Sequence, residues 1–226
     1  MIVKILITVL LSAFSYAANA ETFAQFLKNL PLSKSTYIKT YTGQKLYNNS
    51  RAVLCDFGTK ENEQCADALI YLRSKYLWQN RQYNKIVFHF VNSFKCDYVH
   101  WANGYRVDKS NRHWVRAAKR DYSYTTFRKY LSYVFQYANT WSLCCHDLVN
   151  IDKFDVGMVI IVPGFPGHCV IVTDIKQQNG RYYVKIAEGY TPAQQIEVFN
   201  RWFVFNTKQF NTPRFPFYNF KILKFK

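Results

Sequence analysis

The dipeptide Asn179-Gly180 lies between two apolar runs, residues 169–175 and 182–187, and limits the fold more than any other short feature of the chain. Both residues tolerate positive φ, as a two-residue turn matched to the twist of its strands requires. The pair predicts an antiparallel hairpin, and with it a sheet. Further short apolar or alternating runs between turn residues, at 52–57, 86–91, 158–162, 196–199, 203–205 and 220–225, read as strands. Two segments have helical period instead. Cys65, Leu69, Leu72 and Tyr76 recur at i, i+4, i+7 and i+11 on one face. Asn62 serves there as N-cap, Glu63 stands in the first turn, and the helix ends near Trp78. The second helix runs over about 123–138, with Phe127, Tyr130, Leu131, Val134, Phe135 and Ala138 as its apolar stripe. Helices lead and a meander of strands follows. The expected class is therefore α+β, an antiparallel sheet packed against the helix that carries Cys65 and the helix at 123–138. Residues 92–122, rich in Asn, Gly, Lys and Arg, read as a long irregular crossover.

The ends set the compartment. Lys4, the apolar run from Ile5 to Leu11 with Ala13 and Phe14, and the small-x-small site Ala18-Asn19-Ala20 make residues 1–20 a signal peptide. The run is too short for a membrane span, and no later stretch approaches that length. The mature chain, from about Glu21, is expected to be exported, periplasmic or secreted, with no transmembrane segment. No repeat or linker divides residues 21–226, and a hydrophobic content of 49% excludes disorder, so they read as a single globular domain.

The formal net charge is +16, a field that draws anionic partners. Outside the cytoplasm these are envelope polymers, acidic glycolipids or phospholipid surfaces. The competing reading is that the charge serves solubility alone. The 18 Tyr and 19 Phe fall mostly at core spacing and accompany no nucleic-acid motif, so no specific nucleic-acid partner is expected. The pattern says nothing about oligomeric state.

Two distant segments suit each other chemically. Cys65 stands where a polar loop becomes a helix, so its sulfur meets free N–H groups and the positive end of the macrodipole, which favour thiolate. His168 follows the turn Pro163-Gly164-Phe165-Pro166-Gly167 and opens the run Cys169-Val170-Ile171-Val172. There it can serve as base toward a thiol. Each residue also has a plain alternative: a small core thiol, and a histidine that caps a strand. A third group should orient the imidazole. Glu188, which leaves the strand paired by the hairpin, and Gln194 are the two candidates. Gln64, before the cysteine, can help bind an oxyanion. Cys55, Cys65, Cys96, Cys144, Cys145 and Cys169 leave disulfide connectivity open; a Cys65 that stays a thiol leaves at least one more unpaired. Cys96-x3-His100 with Asp97 and His89 is a weak metal pattern without a second matched pair. No phosphate loop, dinucleotide fingerprint or nucleophile elbow occurs, so neither cofactor nor metal is expected.

Several motifs carry a family resemblance. Gln64-Cys65-Ala66-Asp67-Ala68, Trp101-Ala102-Asn103-Gly104-Tyr105-Arg106, Phe135-Gln136-Tyr137-Ala138-Asn139-Thr140, the Gly164–Asp174 segment and Gly189-Tyr190-Thr191-Pro192-Ala193-Gln194 resemble those of the bacterial "domain of unknown function 4846" proteins. The likeness runs from about Tyr41 to the C-terminus. It places family motif positions at Cys65, His168, Tyr190 and Gln194, and it singles out Trp101, Tyr105 and Arg106 as lining beside Cys65, with Arg106 free for an anionic group. The chain departs from the expected pattern at Glu188, where a glutamine is expected, and at Cys169, where an alanine is expected. Position favours Glu188 slightly as orienter; the first departure weakens it and raises Gln194, and the choice between the two stays open. The order of cysteine at a helix start, histidine on a strand and polar residue on the next is also similar to papain-like, NlpC-type cell-wall hydrolases. That likeness implies an exported thiol hydrolase or transferase acting on an amide or ester, with peptidoglycan as the expected substrate. The alternative is a non-catalytic, basic envelope-binding protein.

Overall fold

The computed structural model describes residues 21–226; the leader expected over residues 1–20 lies outside them. Eight strands form the main sheet: β1 (Ser50–Ala52), β2 (Leu148–Asn150), β3 (Val159–Val162), β4 (His168–Gln178), β5 (Arg181–Glu188), β6 (Glu197–Phe199), β7 (Phe203–Phe205) and β8 (Lys221–Phe225). Their order is β1-β6-β5-β4-β3-β8-β2, and β7 pairs with the first half of β5. Every ladder is antiparallel. Asn179 (φ 51°) and Gly180 (φ 73°) both take positive φ between Gln178 and Arg181, so the β4–β5 hairpin closes as its turn residues require. A register shift between Val172 and Asp174 bulges β4 midway.

The α-helices of five or more residues are α1 (Phe23–Lys28), α2 (Cys65–Gln79), α3 (Tyr98–Ala102) and α4 (Tyr124–Tyr137). In α4 the expected stripe is observed: Phe127, Tyr130, Leu131, Val134 and Phe135 are buried. Ser123 caps it by accepting from the Thr126 N–H at 3.2 Å. In α2 the structure corrects the sequence reading twice. The helix begins at Cys65, and its N-cap is Gln64, not Asn62. Glu63 belongs to the turn before it, where Oε2 accepts from the N–H groups of Gly58 and Thr59 at 2.8 and 2.9 Å. Nor is α2 one-faced, since eleven of its fifteen residues are buried. It lies between the sheet, α1 and α4, and a helix enclosed on every side needs no polar face.

Strand alternation assigns the two sheet faces. Cys169, Ile171 and Ala187 point into the core shared with α2 and α4. Val170, Val172, Val184 and Ile186 point the other way, under Phe203, Phe205, Phe210 and Phe217. Each such buried aliphatic side chain contributes about 1.5–3 kcal/mol. The stretch read as an irregular crossover holds structure of its own: hairpins Val87–His89/Lys95–Asp97 and Tyr105–Val107/Trp114–Arg116, with α3 between them. Their strands are three residues long, too short for a period to register. Among the described residues no helix is long and apolar enough to cross a membrane.

Candidate active site

Cys65 is the first residue of α2, 9% exposed, at the helix end where N–H groups have no carbonyl partner one turn earlier. Gly189, just past β5, makes the approach possible: a Cβ there would come within 2.8 Å of the Gln64 carbonyl oxygen and 2.9 Å of the Ala68 Cβ. His168 is the first residue of β4. A Cβ on the preceding Gly167 would collide with Thr140 Oγ1, so the short helical turn Thr140–Ser142 that follows α4 presses directly on the histidine turn. The rings of Tyr190 and Phe215 flank the imidazole, with centroids at 5.1 and 4.8 Å.

The imidazole meets a buried carboxylate and lies on the same cleft as Cys65. Its Nε2–H donates to Glu188 Oε2 at 3.0 Å, and Cys65 is near enough to act on its pKa. Ile171 pairs with Ala187, so Glu188 stands opposite Val170, one diagonal step from His168 on the same face. Glu188 is fully buried and His168 is 3% exposed. Burial works against the imidazolium, but the contacts with Cys65 and Glu188 outweigh it and raise the His168 pKa to about 9. The Cys65 pKa falls well below the usual thiol value, chiefly through a hydrogen bond from the Cys169 thiol and then through His168, against the cost of burial. Thiolate and imidazolium are thereby favoured together. Both open onto a cleft of about 650 Å³ lined also by Gln64, Asp67, Asn139, Thr140 and Tyr190.

The chain belongs to the family described as domain of unknown function 4846. That family's model matches residues 12–225. No curated protein and no solved structure matches the chain.

In this member of the 4846 family the remaining site residues divide sharply. Gln64 and Tyr190 line the cleft. Of the two candidates left open for orienting the imidazole, Glu188 hydrogen-bonds His168 and Gln194 does not. Gln194 is buried beside the carboxylate layer, where Nε2 donates to Glu197 Oε1 at 2.8 Å and Oε1 accepts from Arg214 Nη1 at 2.7 Å. Arg214 also donates to Glu188 Oε1 at 3.0 Å and to Glu197, so one guanidinium neutralises two buried carboxylates. Its plane lies 4.0 Å from the Tyr190 ring centroid, and the Tyr190 hydroxyl donates to the Arg214 carbonyl oxygen at 2.8 Å.

Trp101, Tyr105 and Arg106 do not line the cleft. Trp101 packs on Tyr130 and Tyr133 of α4. Arg106 stacks 4.2 Å from the Trp101 ring centroid and donates to the Trp101 carbonyl oxygen at 2.8 Å, so its charge is spent on closing the α3 turn. The Cys96 cluster is likewise structural. His100 Nδ1 bonds Asp97 at 2.7 Å, His89 Nδ1 bonds Asp147 at 2.6 Å, and the Cys96 carbonyl oxygen accepts from Tyr130. Among the described residues no three His, Cys, Asp or Glu side chains are placed to hold a metal ion. All six cysteines are free.

Sequence reasoning missed Arg214 and Phe215, which come from a loop with no motif or period. It also passed over Asp67, 5% exposed on the cleft wall, whose Oδ2 accepts from the Gln64 N–H at 2.9 Å. Its Oδ1 has no partner among the described residues, and burial raises its pKa well above the ordinary value. A buried acid two residues after the cysteine was the available signal.

Proposed function

We propose that this protein is an exported, papain-like thiol hydrolase or transferase that acts on an amide or ester of the cell envelope, with peptidoglycan stem peptides as substrate. One observation supports it above the others: Cys65, His168 and Glu188 form a thiol–imidazole–carboxylate string that opens on a cleft of about 650 Å³. The Cys65 sulfur attacks the substrate carbonyl carbon. The Cys65 main-chain N–H, free at the helix start, and the Gln64 side-chain amide stabilise the oxyanion. The imidazolium then gives its proton to the leaving nitrogen or oxygen, and the acyl group stays on sulfur. His168 next takes a proton from water, or from an acceptor amine, as that group attacks the thioester. Glu188 holds the ring through Nε2 throughout, so Nδ1 carries every proton transfer. Export is supported by the leader pattern of residues 1–20, and an anionic partner by the net charge of +16.

The test is a paired assay of wild type and Cys65→Ser: hydrolysis of isolated peptidoglycan, sacculus pull-down across salt, and melting temperature. The proposal expects turnover to vanish in the variant while melting and salt-sensitive binding persist. Wild type that binds sacculi without ever releasing a fragment identifies a binding protein and overturns the catalytic reading.

A further inference from the structure

The cleft does not carry the chain's positive charge. Among the described residues no lysine or arginine lines the space onto which Cys65 and His168 open. A second cavity, of about 620 Å³, has the opposite kind of wall. It lies where the hairpin Val87–His89/Lys95–Asp97 meets α2, the helical turn Leu143–Asp147 and the end of β8. Arg73, Lys85, Lys95 and Lys226 line it, and among the described residues Asp147 is the one acidic side chain that does. Asp147 is already engaged. It accepts from the His89 main-chain N–H at 3.1 Å and bonds His89 Nδ1 at 2.6 Å, which leaves the ring's Nε2 for a ligand. His89 stands directly opposite Lys95 in the hairpin, so the two side chains share a face. Arg73 lies 5.0 Å from the Phe23 ring centroid and 5.9 Å from that of Phe225, and donates to the Lys226 main-chain oxygen at 2.8 Å. Lys85 and Lys95 enter no ion pair among the described residues, unlike Lys28, Lys153 and Lys224. Four cations therefore face Asp147 and one main-chain oxygen. With that oxygen counted as a full negative charge, two cations remain in excess. The two cavities share no lining residue, and Arg73 follows Cys65 on α2 by about 12 Å of helix axis.

We propose that this second cavity binds a phosphate ester, its phosphate held by Arg73, Lys85 and Lys95 with His89 Nε2 as a further partner. Charge selects the ligand class. A phosphate monoester carries about two negative charges at neutral pH and matches the excess, whereas a carboxylate leaves one cation without a counter-charge. Arginine offers a planar fork to phosphate oxygens, and the two ammonium groups act as point charges. The rings around Arg73 hold its plane before any ligand arrives, so binding has chiefly the two lysines to order. Val87 and Phe225 supply an apolar part of the wall, on which the carbon skeleton of the ester rests. A volume of about 620 Å³ suits a small organic ligand. The same phosphate chemistry reaches the site from a free ester or from a lipid head group. The site uses no residue of the Cys65 cleft and does not depend on the thiol chemistry proposed above. It gives the anionic partner expected from a net charge of +16 a defined place.

The experiment has two arms. Glycerol 3-phosphate and acetate are titrated into the folded protein by calorimetry, and the protein is sedimented with phosphatidylcholine vesicles with and without phosphatidic acid. Both arms compare wild type with Lys85→Gln/Lys95→Gln and with Lys109→Gln/Lys208→Gln, a control pair of exposed lysines outside the cavity that removes the same charge. The expected result is saturable binding of the phosphate ester, about tenfold or more tighter than acetate. The cavity pair should weaken it by about tenfold or more, and the control pair should leave it unchanged. Lys85 and Lys95 are exposed, so their loss leaves the core intact, and Lys85→Arg/Lys95→Arg should bind as wild type does. Saturable titration with glycerol 3-phosphate assigns a free ester. Binding to phosphatidic acid vesicles alone, with the same dependence on Lys85 and Lys95, assigns a lipid head group, and either result upholds the site. Absence of saturable binding in both arms, or acetate that binds as tightly as the phosphate ester, would overturn the proposal. Equal losses in the cavity and control pairs would overturn it as well, since net charge alone would then account for the attraction.

Discussion

Glu188→Gln isolates the part of the site that sequence reasoning left open. Glutamine keeps an oxygen that can accept from His168 Nε2–H but removes the charge that faces the ring. Arg214 retains Glu197 as a partner, so no buried cation is orphaned. Two charge-assisted hydrogen bonds change, to His168 and from Arg214; the one to His168, worth about 1.5–3 kcal/mol, bears on the histidine pKa. At about 1.4 kcal/mol per pKa unit, the His168 value should fall by about 1–2 units. The wild-type value of about 9 then drops to about 7–8. The sign of the stability effect follows from linkage. A raised histidine pKa stabilises the fold fully below the ordinary 6.5 and loses that contribution as pH rises through about 9. The stability gap between wild type and Glu188→Gln should therefore be wider by about 2 kcal/mol near pH 6 than near pH 9, on top of a pH-independent cost from the weakened Arg214 contact. The assay is a proton NMR titration of the His168 ring together with urea unfolding across that range. A His168 titration unchanged in Glu188→Gln, or shifted equally in Gln194→Ala, would refute the assignment of Glu188 as the orienting group.

Iodoacetamide at pH 6 should label Cys65 well before Cys55, since the first thiol is held low and the second is pushed up to about 11; equal labelling by peptide mapping contradicts the thiolate assignment. Gly189→Ala should cost about 1–3 kcal/mol in denaturant unfolding and depress Cys65 alkylation, because the new methyl must displace the start of α2; an unchanged variant shows that the contact with Gln64 is slack. Asp67→Asn should be neutral or stabilising at pH 7 and should flatten the stability profile. A carboxyl whose folded pKa is raised contributes most at low pH and loses that contribution as pH rises, and the amide oxygen still accepts from Gln64. A marked loss of stability at pH 7 argues instead for an ionised Asp67.

Features that live in a few consecutive residues were legible without coordinates. Asn179-Gly180 closes its hairpin because positive φ is a property of those two residues. Ser123 and the stripe from Phe127 to Phe135 yield α4 because capping and period are local. The positions of the two leading candidates were legible too: Cys65 at a helix start and His168 at a strand start each follow from neighbours in the chain. Sequence leaves the choice between Glu188 and Gln194 open, because motif position cannot make it, whereas register decides which side chain stands diagonally from His168. Arg214 and Phe215 could not be found, since a loop without period becomes part of the site only when the chain folds back onto Tyr190 and His168. Trp101 and Arg106 misled for the opposite reason: a motif records that residues matter, and only packing shows that these two are spent on each other and on α4. Sequence by itself determined the elements and the chemistry at their ends; tertiary structure decided which ends meet, because side-chain contact across a sheet or from a loop depends on register and closure that no local window contains.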